Sequence, residues 1–419
     1  MSPATRVTPL AAVLLTGDEL LDGRVRDTNG AYLSRSLIER GFRVRAVVVA
    51  PDDRATIAGH LKRLLADAPR VLVVSGGLGT THDDVTMAAV AQAAGLELRE
   101  HPEAWQAVLE QVCAVAARRG IDVEPLLEQA RKQALLPVGA TPLAPAGVAP
   151  GAVLTVDGTT IVVLPGVPRE LEAMWPPVLE RLAAVAQVEP PRVRLLRLYG
   201  VGEMQVVPVL EAARHDLLDV AVTASVGEIT LRLAAPSGAA ATRQMVRLVE
   251  ALSAALPVYS SDGRTVDELV ADTLHAAGAT VAVAESCTGG LLGGRLTTLP
   301  GSSDYFLGGV VAYADSVKTG LLRVPQEQLD AHGAVSPQVA GSMAHGVRSL
   351  TGATYGLSTT GIAGPAGGTT DKPVGLVYIG CAGPQGERVA EHRIGGDRQT
   401  VRRWTVTAAL HLLRRCLEA

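Results

Sequence analysis

The chain has 419 residues, 47% hydrophobic and 19% charged, with a formal net charge of -4. That length exceeds one ordinary core and predicts two or three domains. The charge balance excludes a surface built to coat nucleic acid, which needs a clustered excess of Lys and Arg, and no apolar stretch nears the roughly eighteen residues of a membrane span.

Residues 10–15 form a short apolar run leading into Gly17-Asp18-Glu19 with no small-residue cleavage site, so they read as a buried first strand and not as a signal-peptide core. Further strands are expected at 44–49, 71–74 and 161–164, alternating with helical patterns. Between the first two strands, Thr28-Asn29 can cap a helix with Leu33, Leu37 and Ile38 on one stripe, ended by Gly41. This βαβ order predicts an α/β fold with a parallel sheet covered on both faces. Residues 134–151, rich in Pro, Ala and Gly, have the look of a linker. Yet the strand at 161–164 runs into Pro165-Gly166-Val167-Pro168 and an amphipathic helix, which places the first boundary near 175.

The second segment, 176–258, has a β-α-β-β-α order: a strand at 194–198, a helix at 202–213, a hairpin of 220–224 with 228–234, and a helix at 241–256. It reads as a small α+β module without a catalytic cluster. The third segment, 259–419, is again α/β, with a helix at 266–277, strands at 280–284, 306–312, 355–359, 375–381 and 387–394, and a last helix at 399–417. Its glycines gather at strand ends, where open sheets place their sites. The four cysteines, Cys113, Cys287, Cys381 and Cys416, have neither metal-ligand spacing nor disulfide-framework density, so a cytoplasmic setting is expected.

Two stretches carry chemistry. After the third strand comes Ser75-Gly76-Gly77-Leu78-Gly79-Thr80-Thr81-His82-Asp83-Asp84. Gly76, Gly77 and Gly79, with Thr81, can bring backbone amides close to a phosphate. A plain βα turn with a capping Asp explains the same residues equally well. Asp18 ends the first strand on the same edge, so Asp18, Asp83 and Asp84 are candidate ligands for a hydrated divalent cation bridging to phosphate.

In the third segment, Glu285-Ser286-Cys287-Thr288-Gly289-Gly290 leaves a strand for a helix start. This geometry presents Ser286 at the sheet edge beside free amides, although a helix cap with a buried Cys fits too. No histidine lies in a catalytic-looking loop. Lys318 follows an apolar strand and Tyr313, and a buried lysine can take a hydroxyl proton; a solvated helix-start lysine is the alternative. Thr360-Gly361 lies at another glycine-rich strand end, and Arg398 at a helix start suits a grip on phosphate. Cys287 is the rival nucleophile.

The first segment resembles the molybdopterin-binding-like domain of the CinA (competence/damage-inducible) family through Gly17-Asp18-Glu19-Leu20-Leu21, Asp27-Thr28-Asn29, the Gly-Gly-Leu-Gly loop and Gly166-Val167-Pro168. It departs at Thr80, where proline is usual, and in the loop 144–151. The third resembles the family's C-terminal nicotinamide-nucleotide amidase domain through Ala-Glu-Ser-Cys-Thr-Gly-Gly, Val-x-Ala-Tyr-x-x-x-x-Lys, Gly333-Ala334-Val335-Ser336 and Thr-Gly-Ile-Ala-Gly-Pro-x-Gly-Gly. At Asp315 an Asn is common, a change expected to matter modestly.

The resemblance implies deamidation of nicotinamide mononucleotide with Ser286 as nucleophile, Lys318 and Tyr313 as proton-transfer partners, and Glu285, Thr288, Gly289, Thr360, Gly361 and Arg398 around the substrate. It implies no cofactor for this half. For the first segment it implies metal-dependent hydrolysis of ADP-ribose. The middle segment resembles the family's KH-like module, for which a spacer or dimerisation role is expected. Small nucleotides, and neither nucleic acid nor membrane, are the expected partners of a homodimer.

Overall fold

In the computed structural model, which describes residues 8–213 and 215–419, the buried first strand Leu10–Thr16 lies between Arg43–Ala50 and Val71–Ser75. The chain divides into two compact units, one ending at Pro191 and one running from Arg192 to Ala419. It is a mixed α/β fold with a parallel-sheet amino-terminal part, as expected.

The first unit holds a six-stranded sheet in the order 43–50, 10–16, 71–75, 159–164, 151–156, 141–143. The first four strands are parallel, and Gly151–Val156 and Thr141–Leu143 then pair antiparallel. The stretch with the look of a linker therefore contributes an edge strand to this sheet. Its prolines and glycines are tolerated because they lie at an edge and in tight connections.

The boundary expected near 175 falls inside the helix Pro168–Ala186. Leu171, Trp175 and Leu179 are buried with Val13 and Leu15 in the core of one sheet face, so the sheet needs the whole helix as cover. Trp175 has no exposed surface, and its indole Nε1 donates to Ser36 Oγ at 2.7 Å.

The second unit contains two sheets. The first is antiparallel in the order 219–225, 228–235, 192–199, 258–260, backed by the helices Glu203–Ala212 and Ala239–Ala255. The boundary expected between 258 and 259 splits its edge strand Val258–Ser260, whose Ser260 pairs with Arg197. The second sheet has the order 306–311, 281–285, 355–361, 376–383, 386–393, parallel over its first three strands.

The two sheets share one support, the last helix Arg398–Leu417. Its His411 is fully buried and Nε2 lies 2.8 Å from Glu228 Oε1 of the first sheet, which also accepts from Tyr259 Oη at 2.6 Å. Tyr199 stacks on the imidazole at 3.8 Å. Burial holds this histidine below its ordinary range against the pull of Glu228. Burial also pushes Glu228 up, but the hydrogen bonds from His411 and Tyr259 outweigh it and hold the carboxyl below its usual range. The pair is thus a neutral imidazole donating from Nε2 to a carboxylate.

Candidate active site

The strand Val281–Glu285 lies between the parallel strands Phe306–Val311 and Tyr355–Gly361, and Ser286 follows it where the chain leaves to both sides, the usual place for a ligand crevice. Three side chains hold the turn that carries this serine. Buried Glu285 accepts the backbone amides of Gly290 at 2.9 Å, Leu292 at 3.0 Å and Gly293 at 2.8 Å. Arg402 donates from Nε to the Cys287 carbonyl at 3.1 Å and from Nη2 to the Thr288 carbonyl at 2.7 Å. Thr288 Oγ1 lies 2.7 Å from Thr359 Oγ1, and the Ser286 amide donates to the Thr359 carbonyl at 2.9 Å.

These contacts correct two expectations. Glu285 and Thr288 were expected to touch substrate, but both are buried with their polar atoms engaged inside the protein. The Gly290 amide is likewise taken by Glu285, which leaves the amides of Cys287, Thr288 and Gly289 outside that clamp. Gly289 is exposed with φ 57°, a left-handed conformation that favours glycine. Cys287 is buried, and burial pushes its thiol up to about 12, far from the thiolate that a cysteine nucleophile needs.

Thr360 was also expected at the substrate. Its buried hydroxyl donates to the Ala334 carbonyl at 2.7 Å, tying the strand Tyr355–Gly361 to the Gly333-Ala334-Val335-Ser336 segment. At Gly361 a Cβ would lie 2.8 Å from the Leu376 carbonyl, so this glycine serves strand packing.

Lys318 is not a solvated lysine: its side chain is 1% exposed, on the short helix Asp315–Gly320. Nζ donates to Asp315 Oδ1 at 2.9 Å and to the Tyr313 carbonyl at 3.1 Å. Tyr313 is itself 61% exposed, and Arg398 donates to its phenolic oxygen from Nη2 at 3.1 Å and to the Gly364 carbonyl from Nη1 at 2.9 Å. Tyr313 thus meets both cations through different atoms, its carbonyl taking Lys318 and its phenol Arg398. Arg398, Arg402 and Arg403 line a cavity of about 700 Å³ with Leu291, Pro365 and Val374. Its one carboxylate, Asp397, is engaged as a helix cap, accepting the Thr400 amide at 2.7 Å. The result is a cationic hollow at the amino end of a twenty-residue helix, a setting that attracts anions.

Sequence reasoning missed Arg402 as part of this site and noted Asp315 only as a departure from the family's motif, whereas the structure pairs it with Lys318. A second arginine one helical turn after Arg398 was the available signal for the first.

In the first unit, a cavity of about 590 Å³ opens where the strands ending at Thr16, Ser75 and Leu164 give way to loops. Gly76 and Gly77 have φ of 111° and 62°, and a Cβ on Gly76 would sit 2.5 Å from the Thr16 carbonyl. The loop is closed by its own acids. Thr81 donates its amide to Asp84 Oδ2 at 2.9 Å and its hydroxyl to both Asp83 and Asp84, and Lys132 donates to the Thr81 carbonyl. The lining is acidic, with Glu19, Asp27, Asp52, Asp83, Asp84 and Glu170 against a single Arg26. Asp52, which sequence reasoning passed over after the second strand, is pushed up by burial and by the nearby Glu19, Asp18 and Asp83.

The expected metal ligands do not fit a divalent cation. Among the described residues, no three His, Cys, Asp or Glu side chains are grouped closely enough to hold one. The physical reason is local pairing. Asp18 exchanges hydrogen bonds with the Asp52 segment at 3.1 and 3.3 Å, while Asp83 and Asp84 both turn to Thr81. Among the described residues, no helix is long and apolar enough to cross a membrane.

Fold and sites together define a two-unit α/β protein, with a glycine-loop cavity on a parallel sheet and a serine turn on a second sheet. The family model "Probable molybdopterin binding domain" matches residues 12–184, and "CinA C-terminal domain" matches 263–417. A CinA-like protein of Mycobacterium sp. (strain JLS) is 39% identical across 97% of this chain and 99% of its own length. One of Myxococcus xanthus is 38% identical across 97% and 98%. Among solved structures, the competence/damage inducible protein CihA of Agrobacterium tumefaciens is 40% identical, covering 37% of this chain and 96% of its own, with a TM-score of 0.35. The chain belongs to the CinA family.

Proposed function

We propose that the Ser286 site deamidates nicotinamide mononucleotide to nicotinate mononucleotide and ammonia, in recycling of pyridine nucleotides. The observation that supports this reading is a serine turn held by Arg402, on a helix that also sends Arg398 to the Tyr313 phenol and lines a cationic hollow with both arginines. Ser286 Oγ attacks the carboxamide carbon and Lys318, as its free amine, takes the hydroxyl proton. The amides of Cys287 to Gly289 hold the oxyanion. The C–N bond then breaks, with a proton delivered through Tyr313 to the leaving ammonia. Water hydrolyses the acyl-serine to release the acid and restore the hydroxyl. Arg398 and the neighbouring arginines hold the 5′-phosphate, so remote binding positions the amide. No cofactor enters this scheme.

The first unit is proposed to bind a nucleotide such as ADP-ribose at its glycine loop, beside acids that are not grouped to hold a metal. Two assays test both halves. Purified chain given nicotinamide mononucleotide should release ammonia and nicotinate mononucleotide one to one; no release overturns the amidase reading. AMP formed from ADP-ribose only in the presence of a divalent ion would assign the first unit the metal-dependent pyrophosphatase activity that the family resemblance implies. Size measurement in solution tests the proposed homodimer.

A further inference from the structure

We infer that the cationic hollow is one end of a longer groove that binds a dinucleotide, whose second ribonucleoside lies against the hairpin turn at 225–228. Which end of the ligand faces Ser286 rests on the proposed amidase reading; the groove itself does not. A second cavity of about 400 Å³ adjoins the hollow, because Leu291 and Arg403 border both. One face of the last helix runs along the two. Arg398 and Gln399, then Arg402 and Arg403, border the hollow, and Val406 and Thr407 border the second cavity. These pairs recur every four residues, the spacing that keeps side chains on one side of a helix. Thr407 lies about 6 Å further along the axis than Arg403, a step the size of a sugar ring.

The facing wall is built the same way. Leu291 and Arg295, also four residues apart, stand on the short helix Leu291–Leu296. The hairpin closes the far end, with Gly227 seated so closely on the last helix that a Cβ there would lie 2.4 Å from the Trp404 indole.

The chemistry changes along the groove. At the junction, Arg403 is exposed, and among the described residues its guanidinium has no hydrogen-bond or ion-pair partner, so it is available to a phosphate. Beyond it, Glu228 borders the second cavity. Its Oε1 takes His411 at 2.8 Å and Tyr259 at 2.6 Å, which leaves Oε2 without a partner among the described residues. A carboxylate with an oxygen to spare suits a ribose hydroxyl. Val226, Leu291 and Val406 supply apolar area for a base. Arg295 is no second phosphate clamp: Asp267 holds it in a fork at 2.7 and 2.8 Å, and its Nη1 donates to Thr407 Oγ1 at 2.7 Å. A free guanidinium followed by a carboxylate matches a phosphate followed by a sugar, whereas further phosphates in the second cavity would meet Glu228.

The test is calorimetry with oxidised nicotinamide adenine dinucleotide and with nicotinamide mononucleotide on the full chain and its Ser225→Trp variant, in which an indole at the exposed rim fills the second cavity. On the parent the dinucleotide should compete with the mononucleotide. Ser225→Trp should weaken the dinucleotide by about tenfold or more and leave the mononucleotide Kd within about twofold. Removing the 2′-hydroxyl from the adenosine half should cost about tenfold on the parent, a readout that needs no variant to fold. A dinucleotide that does not compete, or whose Kd ignores both Ser225→Trp and the missing hydroxyl, overturns the groove. A dinucleotide sensitive to both, on a chain that releases no ammonia from the mononucleotide, upholds the groove and overturns the amidase reading alone.

Discussion

The glycine-loop cavity and the serine turn both form where strands of a mostly parallel sheet end, but they satisfy their polar groups in opposite ways. Around Ser286 the supporting groups are buried or half-buried and aimed at backbone: Glu285 at three amides, Arg402 at two carbonyls, Thr360 at one. Such a shell fixes geometry, as catalysis by positioning requires. In the amino-terminal cavity the acids are half-buried or exposed, and they bind one another's backbone or a neighbouring hydroxyl. Groups near the surface that are held only in local pairs can rearrange around an incoming ligand at little cost. The lesson is that a glycine loop beside acids specifies a basin, whereas buried carboxylate and guanidinium clamps specify a reacting atom.

Several substitutions would sharpen or break this contrast. The largest effect is expected at Glu285, where Glu285→Ala leaves three amides without their acceptor. Stability in urea should fall by about 3 kcal/mol or more, with loss of ammonia release. Unchanged stability would show that the clamp is not structural. Next comes Arg402→Lys, which cannot reproduce a fork onto two carbonyls. It should lower kcat by about tenfold to a hundredfold with a smaller change in KM, and a change in KM alone would assign Arg402 to substrate binding instead.

A smaller effect concerns pH and stability. Burial keeps His411 and His392 below the ordinary 6.5, so the unfolded chain takes up protons that the folded chain refuses. Stability should be level above about pH 7 and fall as pH drops through the region below it. Glu228, held below its ordinary 4.5, adds a second loss in more acidic solution. Urea midpoints measured from about pH 8 to pH 5 would reveal this slope, which should be shallower in His411→Gln. Stability rising toward pH 5 would contradict the neutral-imidazole pairing. Least affected should be Asp83→Asn with Asp84→Asn: ammonia release within about twofold of the parent and stability within about 0.5 kcal/mol, as befits an exposed and a half-buried loop position at which Asn keeps an acceptor oxygen.

The strands and the convergence of Ser286, Tyr313, Lys318 and Arg398 segments were readable because apolar runs bounded by glycines mark strand ends. Other features had no such mark. The helix Pro168–Ala186 runs through Pro176 and Pro177, which in sequence argue for a stop. The edge strands Thr141–Leu143 and Val258–Ser260 are three residues long and take their identity from their neighbours. At the site, polarity and position at a strand end suggested that Glu285, Thr288 and Thr360 face substrate. Their burial decides otherwise, and burial of a polar side chain depends on partners far along the chain, such as Thr359 for Thr288 and Ala334 for Thr360. Arg402 was hidden for the same reason, since its acceptors lie more than a hundred residues earlier.

The most direct test of the serine-centred account is ammonia release from nicotinamide mononucleotide by Ser286→Ala and Cys287→Ala, each compared with the parent under saturating substrate. Ser286→Ala should lose activity by about a thousandfold or more, while Cys287→Ala keeps a rate within about tenfold of the parent, because a buried thiol far from ionisation contributes packing and no chemistry. A Ser286→Ala chain that deamidates at the parent rate, or a Cys287→Ala chain that alone falls silent, would contradict it.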